Sequence, residues 1–206
     1  MTKVHPNVAA PETEKKEISV GMGGGAAVVL TVWRKSLLFN GNGFAVFDAK
    51  GNLVFRVDNY ASENKGEIVL MDATGNPLLT IRRKRLSLAD HWLIYDGEET
   101  TNPIFSIKKS LNFLHSKSLA HVTPPAAASS SSYEVEGSYS RRSCAVLDGS
   151  RRQLAAVKRK EAIGGVAFGV DVFRLVVEPG FDAAVAMAIV ILLEQMFGSR
   201  SSLLRG

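Results

Sequence analysis

The sequence has only one cysteine, Cys144, so no disulfide can form within the chain. It also lacks an apolar N-terminal segment of the kind found in secretory signals, because residues 1–16 are polar and include Pro6 and Pro11. These two absences predict a protein of a reducing compartment, the cytoplasm or the nucleus.

Signals for a metal, a cofactor or a catalytic centre are absent as well. The four histidines show no metal-ligand spacing with one another or with Cys144. The glycine-rich stretch Gly21–Gly25 is not followed by the Lys-Ser/Thr pair of a phosphate-binding loop. No nucleophile motif frames the serines, histidines and aspartates. We therefore predict no metal, no cofactor and no enzymatic activity.

Long hydrophobic runs are rare, and the run Ala183–Leu193 near the C-terminus is the informative one. Its eleven apolar residues are too few for a membrane-spanning helix, which needs about 20. On a helical period these residues cover every face, so protein or lipid must enclose the helix. Asp182 can cap its first turn and Gly198 can end it. The length favours a buried core helix over Phe181–Phe197 rather than a membrane span.

The middle of the chain is patterned as about a dozen short β-strands joined by tight turns. Runs rich in β-branched and aromatic residues predict strands at 27–33, 36–39, 44–47, 53–57, 68–71, 78–81, 92–95, 104–107, 119–122, 133–137, 145–147, 154–157, 166–170 and 172–177. Three turns begin at Asp48, Asp72 and Asp148 and follow the pattern Asp-x-x-Gly-Asn, the third more loosely. Glycine in such a turn provides the positive φ that tight hairpins need.

These strands need their apolar faces covered and their open edges protected. A closed antiparallel barrel of about twelve strands, with the apolar helix threaded through it, meets both needs. A helix over Phe181–Phe197 would be about 25 Å long, which matches tilted strands of about 8–9 residues. The predicted fold class is therefore mainly β, a closed barrel around a C-terminal helix. A β-sandwich with the helix on one face is the alternative, although it explains less well why the helix has no polar face.

Three segments are predicted to lie outside the packed barrel. Residues 1–25 and 199–206 are expected to be disordered, because they offer few apolar groups to bury. Residues 123–132 include the low-complexity run Pro124–Ser132 and are expected to form a flexible loop. The barrel domain itself is predicted to span residues 26–198.

Several motifs resemble those of the plant LURP-one-related family. They are Leu30–Leu37 (LTVWRKSL), Gly43-Phe44, Gly51–Tyr60 (GNLVFRVDNY), Leu70-Met71-Asp72 with Gly75, Leu86-Ser87-Leu88 with Trp92, and Gly165–Val172 (GVAFGVDV). The resemblance extends from about Leu30 to Phe197. It implies a fold like the tubby C-terminal domain, a twelve-stranded barrel around a hydrophobic helix, which phospholipid scramblases are thought to share.

For function, the resemblance implies a non-enzymatic protein associated with plant defence or stress. Tubby-like proteins bind phosphoinositides and have been proposed as membrane-tethered transcription regulators. The resemblance therefore implies a peripheral binder of anionic phospholipid or phosphoinositide at the plasma membrane. We expect a monomer in the cytoplasm or nucleus. A protein-interaction scaffold without a lipid ligand, or a membrane-tethered transcription regulator, remains an alternative. Nucleic-acid binding is disfavoured, because no DNA-binding motif occurs and the basic residues are not interleaved with exposed aromatics.

Two basic groups are the candidate binding residues for an anionic headgroup, in a chain whose net charge is +5. The first group is Arg82, Arg83, Lys84 and Arg85, and the second is Arg151, Arg152, Lys158, Arg159 and Lys160. The strand that carries the first group is expected to end near Arg82, which would place these charges at the barrel rim. If the two groups converge, their paired donors suit a phosphate-rich headgroup. The plainer interpretation is a solvated basic rim without a ligand.

Overall fold

The computed structural model of the chain describes residues 25–35, 42–59, 66–84, 87, 90–111, 117–125, 132–161 and 169–198. Within them lie twelve strands and one helix. They are β1 Val28–Trp33, β2 Asn42–Phe47, β3 Leu53–Asn59, β4 Glu67–Asp72, β5 Pro77–Arg83, β6 His91–Asp96, β7 Phe105–Lys109, β8 Ser118–Thr123, β9 Tyr133–Ser138, β10 Ser143–Leu147, β11 Gln153–Arg159, β12 Val172–Val177 and α1 Ala183–Phe197.

The twelve strands form one closed antiparallel barrel, as the sequence predicts. Each strand pairs with the next along the chain, and β1 closes the ring against β12 from Val28↔Val177 to Trp33↔Val172. The sandwich alternative is wrong, because closure leaves neither sheet edge open. In this arrangement all odd-numbered strands run in one direction, so their C-terminal ends meet at a single rim. The N-terminal ends of the same strands meet at the other rim.

The three aspartate turns share one geometry, and all three lie at the rim where the odd-numbered strands begin. In each turn the aspartate Oδ1 accepts hydrogen bonds from the amides two and four residues later: Lys50 and Asn52, Thr74 and Asn76, Ser150 and Arg152. A register shift precedes each turn. The fourth residue has a positive φ, +84° at Gly51 and +96° at Gly75 as the pattern predicts, and +65° at Arg151.

The helix α1 fills the barrel and is buried on all sides. Every residue from Val185 to Leu193 is buried, as is Met196. The Asp182 side chain caps the first turn by accepting the Val185 amide at 2.9 Å. A fully buried large apolar side chain contributes about 1.5–3 kcal/mol, so α1 is a principal source of the barrel's stability. The predicted core helix is confirmed.

The strands are shorter than the 8–9 residues that the length argument requires, since each spans five to seven. Backbone pairing continues past their ends, however. The amides of Arg34, Lys84 and Ser110 donate to the carbonyls of Asp171, His91 and Leu119 at 2.8, 2.8 and 2.9 Å. This continued pairing lengthens the wall beside α1, which at 15 residues is about 22 Å long.

The strand predicted at Val166–Val170 is wrong for those of its residues that the structure describes. The described part of Val166–Val170 is a turn at Gly169-Val170, closed by a hydrogen bond from the Val172 amide to the Gly169 carbonyl at 3.2 Å. The predicted strand at 36–39 lies outside the described residues. So do residues 1–24, 126–131 and 199–206, and the disorder predicted for the segments that contain them stays a prediction.

Candidate anion-binding rim

Basic side chains predominate at the rim where the odd-numbered strands and α1 end. We call this end of the barrel the basic rim. Its described cations are Arg34, Lys35, Arg82, Arg83, Lys84, Lys108, Lys109, Lys117, Arg141, Arg142, Lys158, Arg159, Lys160 and Arg174. Its described acids are fewer: Asp58, Glu67, Asp90, Glu161, Asp171 and Glu194.

The opposite end of the barrel has the reverse composition, and we call it the acidic rim. Its described acids are Asp48, Asp72, Asp96, Glu98, Glu99, Glu134, Asp148, Glu178 and Asp182, and its described cations are Lys50, Arg151 and Arg152. On the wall between the rims lie Arg56, whose Nε is 2.8 Å from Asp58 Oδ2, and Glu136, which binds Arg151. The molecule is therefore electrically polarised along the barrel axis.

Arg82 and Arg83 end β5 at the basic rim, as the sequence predicts, and both are paired with carboxylates. The Arg82 Nε lies 2.6 Å from Glu67 Oε2, and its guanidinium lies over the Tyr95 ring, 5.4 Å from the centroid. The Arg83 Nη2 lies 2.8 Å from Asp90 Oδ1. Much of the charge of these two arginines is therefore already neutralised within the barrel wall.

Lys84 and Arg83 are the exposed described members of the first group, and no salt bridge joins Lys84 to another described residue. It lies near His91, a buried residue whose Nε2 is 2.7 Å from Ser106 Oγ. Burial, and then the positive charges of Lys108 and Lys84, lower the pKa of His91. The imidazole of His91 is therefore neutral, and the positive electrostatic potential around it comes from Lys84 and Lys108. Arg85 lies outside the described residues.

The second predicted group is divided between the two rims. Lys158, Arg159 and Lys160 lie at the end of β11, on the basic rim. Five strands lie between β11 and β5 in either direction around the ring. With strands about 4.8 Å apart, a twelve-stranded barrel is roughly 20 Å across or more. The two groups therefore face each other across the rim and do not converge on one headgroup.

Arg151 and Arg152 precede β11 and lie at the acidic rim. The Arg151 Nη2 donates to Glu136 Oε2 at 2.9 Å, and the Arg152 Nε donates to Asp148 Oδ2 at 3.1 Å. Both arginines therefore offset nearby carboxylates and do not add to the charge of the basic rim.

A buried ion-pair cluster at the end of α1 was not predicted from the sequence. Glu194 Oε1 lies 2.6 Å from Arg34 Nη1, and its Oε2 lies 3.5 Å from Arg142 Nη2. Arg142 is only 5% exposed, and its guanidinium lies 4.2 and 4.3 Å from the ring centroids of Tyr139 and Phe173. The signal that could have found this cluster is Glu194 itself, an acid directly after an apolar run that must be buried.

A cavity of about 10 Å³ lies between α1 and β9–β12, room for about one water molecule. Cys144 lines it, and burial raises the pKa of the thiol to about 11, so the thiol is protonated at neutral pH. In the described part of the chain, no three His, Cys, Asp or Glu side chains are grouped to hold a metal ion.

Among the described residues, no helix has both the length and the apolar character to cross a bilayer.

Comparison with known proteins gives one consistent result. The model of the LURP-one-related family matches residues 28–194. Protein LURP-one-related 8 of Arabidopsis thaliana is 53% identical over 203 residues, which cover 97% of this chain and all of the relative. Protein LURP-one-related 17 of the same plant is 43% identical, over 91% of this chain and 92% of the relative. A solved X-ray structure of an Arabidopsis thaliana protein is similar with a TM-score of 0.59 and 25% identity, covering 81% of this chain and 89% of that one.

Proposed function

The chain belongs to the LURP-one-related family, and we propose that it is a non-enzymatic module whose basic rim binds the surface of anionic phospholipid membranes. The observation that carries this proposal is the segregation of charge between the two ends of the barrel. A net charge of +5 alone would not orient the molecule. A basic rim opposite an acidic rim does, because an anionic surface attracts one end and repels the other.

The unpaired lysines and arginines of the basic rim suit such a surface. Lys84, Lys158 and Arg159 are exposed, and no salt bridge joins them to another described residue. A lysine or arginine near an anionic bilayer contributes about 1 kcal/mol. A handful of such residues therefore gives useful but reversible binding, which salt weakens because the Debye length is about 10 Å at 0.1 M.

The spacing of these cations favours a membrane plane over a single clasped headgroup. Lys84 and Lys158 lie on opposite sides of a rim that is roughly 20 Å across. Each side can contact its own phospholipid headgroups, phosphoinositides included. We propose accordingly that the protein acts as a monomer in the cytoplasm or nucleus and associates peripherally with the plasma membrane. The role in plant defence or stress that the family resemblance implies stays a prediction.

Vesicle flotation with single charge reversals tests the proposal. Lys84→Glu and Lys158→Glu should each weaken binding to phosphatidylserine or phosphatidylinositol bisphosphate vesicles by roughly tenfold, since each removes one attraction and adds one repulsion. Lys50→Glu, an exposed reversal of the same size at the acidic rim, is the matched control and should not weaken binding. Binding should also fall steeply as salt rises.

Two outcomes would overturn the proposal. One is a wild-type protein that fails to float with any anionic vesicle at low salt, which would leave a protein-interaction scaffold as the better function. The other is an equal loss of binding in Lys50→Glu and Lys84→Glu, which would mean that net charge and not the basic rim governs the interaction.

A further inference from the structure

The exposed apolar side chains of the protein are concentrated at the basic rim. Among the described residues the large exposed ones are Val29 (41%), Trp33 (46%), Leu111 (67%) and Val170 (49%). Single exposed apolar residues are ordinary on protein surfaces. Here, however, Trp33, Leu111 and Val170 lie at the end of the barrel that also carries the cations.

We infer that the protein docks end-on, with the basic rim facing the bilayer and with Trp33, Val170 and Leu111 entering its interfacial layer. This inference rests on the proposed function and specifies its geometry. Electrostatic attraction alone would hold the rim near the headgroups. Apolar side chains among the cations would carry it into the headgroup–acyl boundary, as amphipathic membrane-binding surfaces do.

Trp33 and Val170 lie on neighbouring segments of the wall made by β12 and β1. Trp33 is the last residue of β1 and is paired with Val172. The amide of the next residue, Arg34, donates to the Asp171 carbonyl at 2.8 Å, which brings the turn that contains Val170 alongside. The Trp33 ring also meets Phe47 edge-on, with centroids 5.6 Å apart, and this contact limits its orientations. Tryptophan is the residue that membrane proteins favour at headgroup depth.

Cations lie on the same wall as Trp33. Thr31 pairs with Arg174, and Arg174 pairs with Lys158 on the next strand. Directly opposed residues on antiparallel strands point to the same face, with Cβ atoms about 5 Å apart. Thr31 is two residues before Trp33 and so shares its face. Lys158 is therefore positioned to bind headgroup phosphates beside the indole. Arg174, whose Nη1 lies 3.9 Å from Glu161 Oε2, lies next to it.

Leu111 is an exposed apolar residue on the far side of the rim from Trp33. It follows β7, which is six strands from β1 in either direction around the ring. Apolar side chains on opposite sides of one rim can enter the same membrane surface. The barrel axis would then lie roughly perpendicular to the bilayer, with the C-terminal end of α1 nearest to it. Val29 lies on β1 four residues before Trp33, which is about 13 Å along the tilted strand and about 10 Å farther from the bilayer.

Tryptophan fluorescence tests the inference directly, because the chain has two tryptophans and the other, Trp92, is 7% exposed. On binding phosphatidylserine–phosphatidylcholine vesicles, the emission of Trp33 should shift to the blue, and brominated phosphatidylcholine should quench it. The Trp33→Phe variant leaves Trp92 as the reporter. Trp92 lies near the same rim, level with Arg83, but its ring is already buried, so its emission should not shift to the blue on binding.

Paired surface substitutions provide a second readout. Val170→Asp and Leu111→Asp should each weaken vesicle binding roughly tenfold at 0.15 M salt, because each removes an apolar contact with the interface and adds a negative charge. Val29→Asp makes the same change on an equally exposed valine that the docked protein keeps away from the lipid, and it should bind as the wild type does. Thermal melting of each variant verifies that the barrel is intact.

The outcomes separate this inference from the proposed function. Flotation of the wild type without a shift or quenching of Trp33, or equal losses in Val29→Asp and Val170→Asp, would overturn end-on docking and leave lipid binding standing. A wild type that does not float would overturn both.

Discussion

At the scale of single residues, Arg151 shows what a turn demands of its fourth position. The turns at Asp48 and Asp72 place glycine there, and the turn at Asp148 places Arg151 in the same left-handed conformation. Its side chain gains ion pairs with Glu134 and Glu136, but exposed pairs of this kind add little to stability. A left-handed residue with a Cβ atom costs about 1–2 kcal/mol, so the arginine gives little net benefit.

The strain at this position is measurable by comparing Arg151→Gly with Arg151→Ala. Both variants lose the ion pairs, but only glycine relieves the backbone, so the glycine variant should be more stable by about 1 kcal/mol. The mirror experiment is Gly51→Ala, where an added Cβ would meet nothing within 4 Å. It should destabilise the protein by a similar amount. Urea unfolding measures all three, and equal stability of the two Arg151 variants would contradict the argument.

At the scale of elements, α1 depends on the barrel for the charges it lacks. The helix has no basic residue in its last turn, where cations are favourable next to the helix dipole. The wall provides them instead. Arg34 and Arg142 bind Glu194, and Lys109 Nζ donates to the Met196 carbonyl at 3.1 Å. The end of the helix is thus fixed at the basic rim by residues from three separate strand ends.

Glu194→Ala should therefore destabilise the protein by about 3–5 kcal/mol, because it leaves the buried guanidinium of Arg142 without its carboxylate. The neighbouring Gln195 is exposed, so Gln195→Ala is the control and should change stability by less than about 0.5 kcal/mol. Replacing Glu194 and Arg142 together with leucine should recover part of the loss. If denaturant unfolding finds Glu194→Ala as stable as Gln195→Ala, the cluster does not anchor the helix.

At the scale of the whole molecule, the barrel and the helix form a single folding unit. The inward residues of all twelve strands and the buried residues of α1 belong to one continuous core. Without α1, a ring of this diameter would enclose an empty apolar space. A barrel of about eight strands is narrow enough for its own side chains to fill the interior, but a ring of twelve strands is wider than that. The barrel is therefore not expected to persist as a packed structure on its own.

Ending the chain after Glu178 tests this dependence. The truncated protein should be insoluble, or compact without a cooperative thermal transition and able to bind hydrophobic dyes. A chain that ends after Gly198 keeps every described residue and should melt as sharply as the full chain. Ala188→Asp, which places a carboxylate at a fully buried position, should resemble the truncation. A sharp transition in the protein that ends at Glu178 would show that α1 is not its core.

Much of this architecture could be predicted from the sequence because its causes are local. The apolar run Ala183–Leu193 has no polar face at any helical phase, so burial was forced before any partner was known. The turns at Asp48 and Asp72 carry their own hydrogen-bond acceptors and glycines. The strand at Leu78–Ile81 had to end near Arg82, because Arg83 would otherwise point inward with Leu79 and Ile81.

The arrangement of the basic residues was decided by the tertiary structure. Arg151 and Lys158 are close in sequence, yet most of β11 separates them. The seven residues of this strand, at about 3.3 Å each, carry the chain from the acidic rim to the basic rim. Conversely, Trp33 and Val170 are far apart in the sequence and lie on neighbouring segments because β1 closes the ring against β12. Periodicity within a segment determined which residues are buried, whereas ring closure, which depends on pairing between distant strands, determined which charges share a surface.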